Sequence, residues 1–183
     1  MNPQASWTVV TLCRRSDPDR SPRFFQALDC LNASGQMGDL DDGPEQVPLD
    51  DLEVRNTILS LLVSKKFDLI ITHSLQGEYT RHRRHEETSA AVSKLWQSGK
   101  LSASEMWQFA YEDGQAQYLP RPIEQADWIN ELPEKIWQKK YEIISKIYGF
   151  QTDSFEAKTA PRKEAFWCFR LDNKVKKRIN NRS

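Results

Sequence analysis

Histidine and cysteine are both scarce in this 183-residue chain, with three of each. The cysteines are Cys13, Cys30 and Cys168. An odd number without a CxxC pair suggests neither a disulfide framework nor a cysteine zinc site, and it fits a reducing compartment, here read as the cytoplasm. Long apolar runs are also missing. None approaches the roughly 20 residues needed to cross a bilayer. The first fifteen residues, MNPQASWTVVTLCRR, lack the basic start and apolar core of a signal peptide. No excess of charge of either sign exists: 26 basic and 26 acidic residues leave a formal net charge of zero, so no global field favours nucleic acid or membrane. No internal repeat is visible.

What is present suits a globular protein. Hydrophobic residues make up 38% and charged residues 28%, with six tryptophans, which is too apolar and aromatic for a disordered chain. The length suits one domain with a real core. Charge is uneven along it, acidic over residues 39–51 and basic over 174–182.

Residues 7–12 (WTVVTL) have the β-branched composition of a buried strand. Phe24, Phe25, Leu28 and Leu31 recur at helical spacing, with Gly35 as a stop. Residues 38–48 (GDLDDGPEQVP) read as a loop. Asp50 or Asp51 then caps a helix that turns Leu52, Val54, Ile58, Leu59, Leu61 and Leu62 inward. Residues 67–72 make the next strand, and 85–97 a helix carrying Ala90, Ala91, Leu95 and Trp96, stopped by Gly99. A strand over 106–111, the turn Asp113-Gly114, and a helix opened by Pro133 with Ile136, Trp137, Tyr141, Ile144, Ile147 and Tyr148 on its apolar stripe follow. Residues 165–171 (AFWCFRL) form the last strand. Alternating strands and helices predict an α/β fold: a mostly parallel, Rossmann-like sheet with helices on both faces. Ligands of such sheets collect outside the carboxyl ends of the strands.

All three histidines, His73, His82 and His85, lie where one strand passes into one helix, in THSLQGEYTRHRRHEET. His82 and His85 form an HxxH at a helix start, so both rings can reach one ion or one substrate group. The positive end of a helix and the neighbouring Arg81, Arg83 and Arg84 favour neutral imidazole, the form that ligates metal. HxxH alone is a weak signal, and the alternative is a pair of surface histidines in a basic turn.

The longer phrase FDLIITHSLQGEYTRHRRHEETSAAV resembles one motif of the LmbE-like (PIG-L-type) deacetylases. The matching pieces are the apolar strand ending in Thr72-His73, then Gly77-Glu78-Tyr79, then His82-x-x-His85 opening a helix. The resemblance covers roughly residues 7–96. It implies zinc-dependent removal of N-acetyl groups from sugar-like amines. It implies His85 as a zinc ligand and His82 as the catalytic group that polarises the intermediate or protonates the leaving amine. Arg23 (or Arg20), Glu78 and Tyr79 are implied substrate contacts. Zinc in such a site lowers the pKa of a water to about 7 and polarises the amide carbonyl.

The family's other motif, His-Pro-Asp-Asp-Glu after its first strand, has no counterpart here, and no histidine precedes His73. The expectation is a single α/β domain whose first βα unit is missing, family-like over 1–99, divergent over 100–171, with a basic tail over 172–183. As this chain it would be incomplete or inactive. Alternatives are a non-catalytic homologue binding a sugar or phosphate-containing ligand, or a metal site completed by other residues or a partner chain. Asp17 or Asp19 of SDPD could substitute as ligands, although a helix-capping turn explains them more simply. Asp39, Asp41 and Asp42 could crowd a cation, but acidic turns are usually just solvated.

Two other classes stand beside this. Arginines around Tyr79 and the basic tail could contact phosphates, an idea that zero net charge opposes. Cys13, with arginines beside it to lower its thiol pKa, could be a nucleophile.

Overall fold

The structure, a computed structural model, describes residues 5–75, 78, 81–114 and 117–171. It is a mixed α/β arrangement. Strand β1 (Thr8–Cys13) leads to helix α1 (Arg20–Leu31) and strand β2 (Ser34–Leu40), then to α2 (Asp51–Leu61), β3 (Lys66–Thr72), α3 (Arg83–Gln97) and β4 (Ser102–Phe109). The second half contains a short ribbon of β5 (Tyr111–Glu112) and β6 (Arg121–Pro122), then β7 (Trp128–Glu131) and α4 (Glu134–Glu142). A π-helical segment, Ile143–Ile147, continues α4, and α5 (Phe155–Lys158) and β8 (Lys163–Arg170) complete the order.

The sheet expected to be mostly parallel is mixed. β1 pairs with β2 and β3 with β4 in parallel, whereas β4–β8, β8–β7 and β5–β6 are antiparallel. Parallel neighbours need a crossover, usually a helix. α1 and α3 supply one each. After β4 the chain enters the β5–β6 ribbon instead, and β7 and β8 return on the far side of β4 without that constraint. Among the described residues the strands form separate sheets, β1-β2, β3-β4-β8-β7 and β5-β6.

One core nevertheless spans the first two sheets. It joins Leu12 and Cys13 of β1 with Val54 and Ile58 of α2, Ala91, Val92, Leu95 and Trp96 of α3, and Ala103 and Met106 of β4; Phe67 and Ile70 of β3 pack against it. Full burial of one such aliphatic side chain contributes about 1.5–3 kcal/mol. α2 starts as its sequence dictates: the Asp50 carboxylate accepts from the backbone N–H groups of Leu52 and Glu53, both at 3.0 Å. Val54 and Ile58 face inward, but Leu52, expected there too, is 54% exposed.

Several boundaries differ from expectation. α1 ends at Asn32, which adopts the left-handed conformation (φ 51°), rather than at Gly35. Gly35 sits within β2, a strand that the Gly-rich, polar sequence SGQMGDL conceals. A Cβ there would come within 2.4 Å of the Val9 carbonyl oxygen and 2.8 Å of Leu28 Cδ1. The expected loop therefore begins only after Leu40. β7 is likewise unpredicted, and β4 starts at Ser102 rather than at 106. Ile136, assigned to an apolar stripe, is exposed. No described helix is long and apolar enough to cross a membrane.

Candidate metal centre

The carboxyl end of β3 delivers His73. Thr72, the last residue of the strand, is buried and sits opposite Gln108 in β4. The buried Gln108 side chain donates to the Ser89 hydroxyl at 3.3 Å, and Ser89 Oγ donates to the His73 carbonyl at 2.6 Å. This relay ties the strand end to α3. His82 is the N-cap of α3, and its carbonyl accepts the N–H groups of His85 and Glu86 at 3.0 and 3.2 Å. The helical turn thus brings His85 back over the end of β3.

The rings of His73 and His85 stack with centroids 3.9 Å apart and planes within 3°. Nδ1 of His73 lies 2.6 Å from Oε2 of Glu78, which is buried. His73, Glu78 and His85 each offer one ligand atom, and these atoms all lie within 4.8 Å of one another. Donors about 2.0–2.2 Å from a common tetrahedral ion stand about 3.3–3.6 Å apart, so the group would close by about an ångström to hold one. Nδ1 of His85 is buried with no partner, an orphan that a cation would satisfy. Two imidazoles and a carboxylate are a donor set suited to zinc and to other first-row divalent ions. The pKa of His85 falls to about 3, first because burial penalises its charged form, then because His73 and His82 stand beside it; Asp42 acts in the opposite direction. His85 is therefore held neutral, ready to ligate.

His82 stands next to this group, its ring 5.0 Å from that of His85 and tilted by 42°. Its Nε2 lies 3.9 Å from Oδ1 of Asp42. Asp42 belongs to the acidic segment that reads as solvated in the sequence, and here it has work to do. Arg14 Nε donates to Asp42 Oδ2 at 3.0 Å, and Gln46 Nε2 to Oδ1 at 3.2 Å. The segment is clamped onto α3 by the buried Arg84. Its guanidinium donates to the Asp41 and Val47 carbonyls, to the Asp41 carboxylate and to Glu87. Glu87 in turn accepts the Leu49 N–H at 3.0 Å.

The structure gathers His85, His82 and Glu78 in one place and adds His73 and Asp42. His73 carried a signal, its place among three histidines at one strand end, but no role. Asp42 carried only the general signal of an acidic turn, because its partners come from distant parts of the chain. Glu78, expected to face substrate, is instead turned onto His73. Arg23 is engaged elsewhere: it pairs with Asp19 at 2.7 Å and donates to the Ile147 carbonyl at 2.7 Å. Arg20 lies over the Phe150 ring. Tyr79, Gly77 and the basic tail over 174–182 fall outside the described residues. Asp17 caps the start of α1, accepting from the N–H groups of Asp19 and Arg20, both at 2.9 Å, and does not join the histidines. Asp39 accepts from Ser16. Cys13 is no activated nucleophile: burial, followed by the charge of Asp42, pushes its thiol up to about 11, against the lowering expected from nearby arginines.

Fold and site together define a mixed α/β protein with a candidate His/Glu metal group at the carboxyl end of a strand. No protein-family model matches the chain, and no curated protein matches it. Among solved structures it is similar to GalB, the 4-carboxy-2-hydroxymuconate hydratase of Pseudomonas putida KT2440. The TM-score is 0.61 over 91% of this chain and 85% of that one, at 14% identity. At that identity the likeness is one of fold.

Proposed function

We infer that His73, Glu78 and His85 hold a divalent metal, zinc by preference, in a site for water-activating chemistry. The observation that carries this is the approach of the three donor atoms to within 4.8 Å beside an unpartnered, buried His85 Nδ1. When bound, such a cation supplies Lewis acidity, lowering the pKa of water and polarising a carbonyl. The chain's own residues do the rest. Glu78 and the relay from Gln108 through Ser89 fix His73. His82, with the Asp42 carboxylate 3.9 Å from its Nε2, can carry a proton between water and a leaving group.

The reaction we assign is hydrolysis of an N-acetyl group on a sugar-like amine, as the resemblance to LmbE-like deacetylases implies. Its support is the motif around His73, Glu78, His82 and His85, whose members meet in space. The triad supplies donors that the absent His-Pro-Asp-Asp-Glu motif would otherwise provide.

Hydration of a carbon–carbon double bond is a second reading, favoured by the hydratase among solved structures of similar fold. It uses the same activated water with a different acceptor. The test is metal content of the wild-type chain and of His85→Ala after dialysis against a weak chelator and reloading with zinc. About one zinc per chain, lost in the variant, is expected; none in either sinks the metal reading. Acetate release from N-acetylglucosamine-type substrates against bleaching of a conjugated dienoic acid then separates the two reactions.

A further inference from the structure

β7 (Trp128–Glu131) ends its sheet, and all of its residues are exposed. It pairs with β8 on one side, and among the described residues nothing pairs with the other. Neighbouring bonds fix the direction of its backbone groups. Leu132 N–H donates to the Arg162 carbonyl at 2.7 Å, so Leu132 bonds toward β8. Opposed residues of an antiparallel ladder alternate between bonded and non-bonded pairs. Trp128 and Asn130 therefore bond toward β8 as well, while Ile129 and Glu131 aim their N–H and C=O groups outward. β8 agrees: Ala165, opposite Ile129, gives its carbonyl to the Ala110 N–H at 2.9 Å, on the β4 side. Unpaired edge groups of this kind are a template for another strand. Pro133 occupies the next outward position and has no N–H, so the template stops at Glu131.

A second copy of β7, running antiparallel, offers the same two outward residues at the same spacing. Twofold pairing can be centred on Ile129, Asn130 or Glu131. Centred on Glu131, the two Glu131 carboxylates face each other. Centred on Ile129, Glu131 faces Asp127 of the second copy. Like charges directly opposite each other destabilise a sheet. Centred on Asn130, the acids stay apart: Ile129 faces Glu131, Trp128 faces Leu132, and the two Asn130 amides meet as matched donors and acceptors. The Trp128 ring lies 5.6 Å from those of Trp107 and Phe166, so its contact with Leu132 of the second copy would extend an aromatic row already on that face. A net charge of zero sets no repulsion between copies.

We propose that the chain forms a twofold dimer through the free edge of β7, with the axis at Asn130, joining two four-stranded sheets into one. The dimer is independent of the metal site. So short a seam buries less than the roughly 800 Å² per partner of a standard interface, so association is weak and concentration-dependent.

Sedimentation of the full chain over a concentration series should show reversible monomer–dimer exchange. Ile129→Pro removes one outward N–H and no bond to β8, so it should weaken association at least tenfold at a nearly unchanged Tm. Disulfide crosslinking in a Cys30→Ser, Cys168→Ser background reads the register. Asn130→Cys brings two Cα atoms to about 4.5 Å across the axis, within bridging range, and should crosslink. Ile129→Cys, which faces Glu131 rather than its own copy, should not. A chain that stays monomeric at its highest soluble concentration overturns the proposal and leaves the edge to a strand of another protein. A dimer that persists in Ile129→Pro, or that does not crosslink through Asn130→Cys, overturns it as well. Should Ile129→Pro fail to fold, the crosslinking pair decides alone.

Discussion

The imidazoles of His73 and His85 lie face to face, 3.9 Å apart and parallel to within 3°, although one directly follows a strand and the other belongs to the first turn of a helix. Each ring contributes one nitrogen to a common group of potential metal donors. Glu78, 2.6 Å from His73, closes the third side.

Metal should therefore stabilise the fold. A ligand that binds only the native state raises stability by about 2.7 kcal/mol at a concentration 100 times its dissociation constant. Zinc added to the chelated chain is expected to raise Tm by several degrees. His73→Ala, Glu78→Gln and His85→Ala should each abolish most of the rise, as followed by calorimetry. An equal rise in all three variants would place the ion elsewhere.

Acid should weaken the fold through His85. Its native pKa of about 3 lies below the ordinary value of 6.5. Between these values the unfolded chain binds a proton that the native one does not, so the unfolding free energy rises with pH. Stability is fully present above about pH 6.5 and is lost as pH falls toward 3. Urea midpoints measured across this range should fall more steeply for the metal-free wild type than for His85→Asn. Parallel profiles would contradict the buried, neutral state of His85.

Arg84 clamps the segment that brings Asp42 to His82. Arg84→Met leaves Glu87 and two carbonyls without their donor, at a cost of about 2–3 kcal/mol in urea unfolding. The exposure of Asp41 keeps the figure from being larger. Arg84→Lys should recover only part, because an ammonium cannot serve several acceptors in a fork.

Gly35→Ala tests the contact of α1, β1 and β2. The added carbon meets the Val9 carbonyl oxygen, which is backbone and cannot swing away. Overpacking of this kind costs about 1–3 kcal/mol. A variant as stable as wild type would mean that β1 and β2 part readily.

The elements with strong local patterns were legible in sequence. α2 announces itself by Asp50 and by Val54 and Ile58 at helical spacing, and β3 by its apolar run. β2 was not legible, because SGQMGDL lacks strand-forming residues and is extended only through pairing with β1. The direction of β8 was not legible either, since a strand's composition is the same whichever way its neighbour runs. In the site, His82 and His85 are read from spacing on one helix. Asp42 is not, because its approach to His82 depends on Arg84, Arg14 and Gln46 holding a loop in place.

By itself, then, the sequence determined the local matters: which segments are helical or extended, and that every histidine falls between the end of β3 and the first turn of α3. Tertiary structure decided which side chains meet. It joined His73 to Glu78 and His85, set Asp42 beside His82, and sent Arg23 to the Ile147 carbonyl instead of to the site. The physical reason is range. Periodicity and capping act within a few residues, whereas the site depends on a carbonyl held by Ser89, a loop held by Arg84 and a ring held by a stack. Those contacts exist only once the shared core has brought β1, β3 and α3 together.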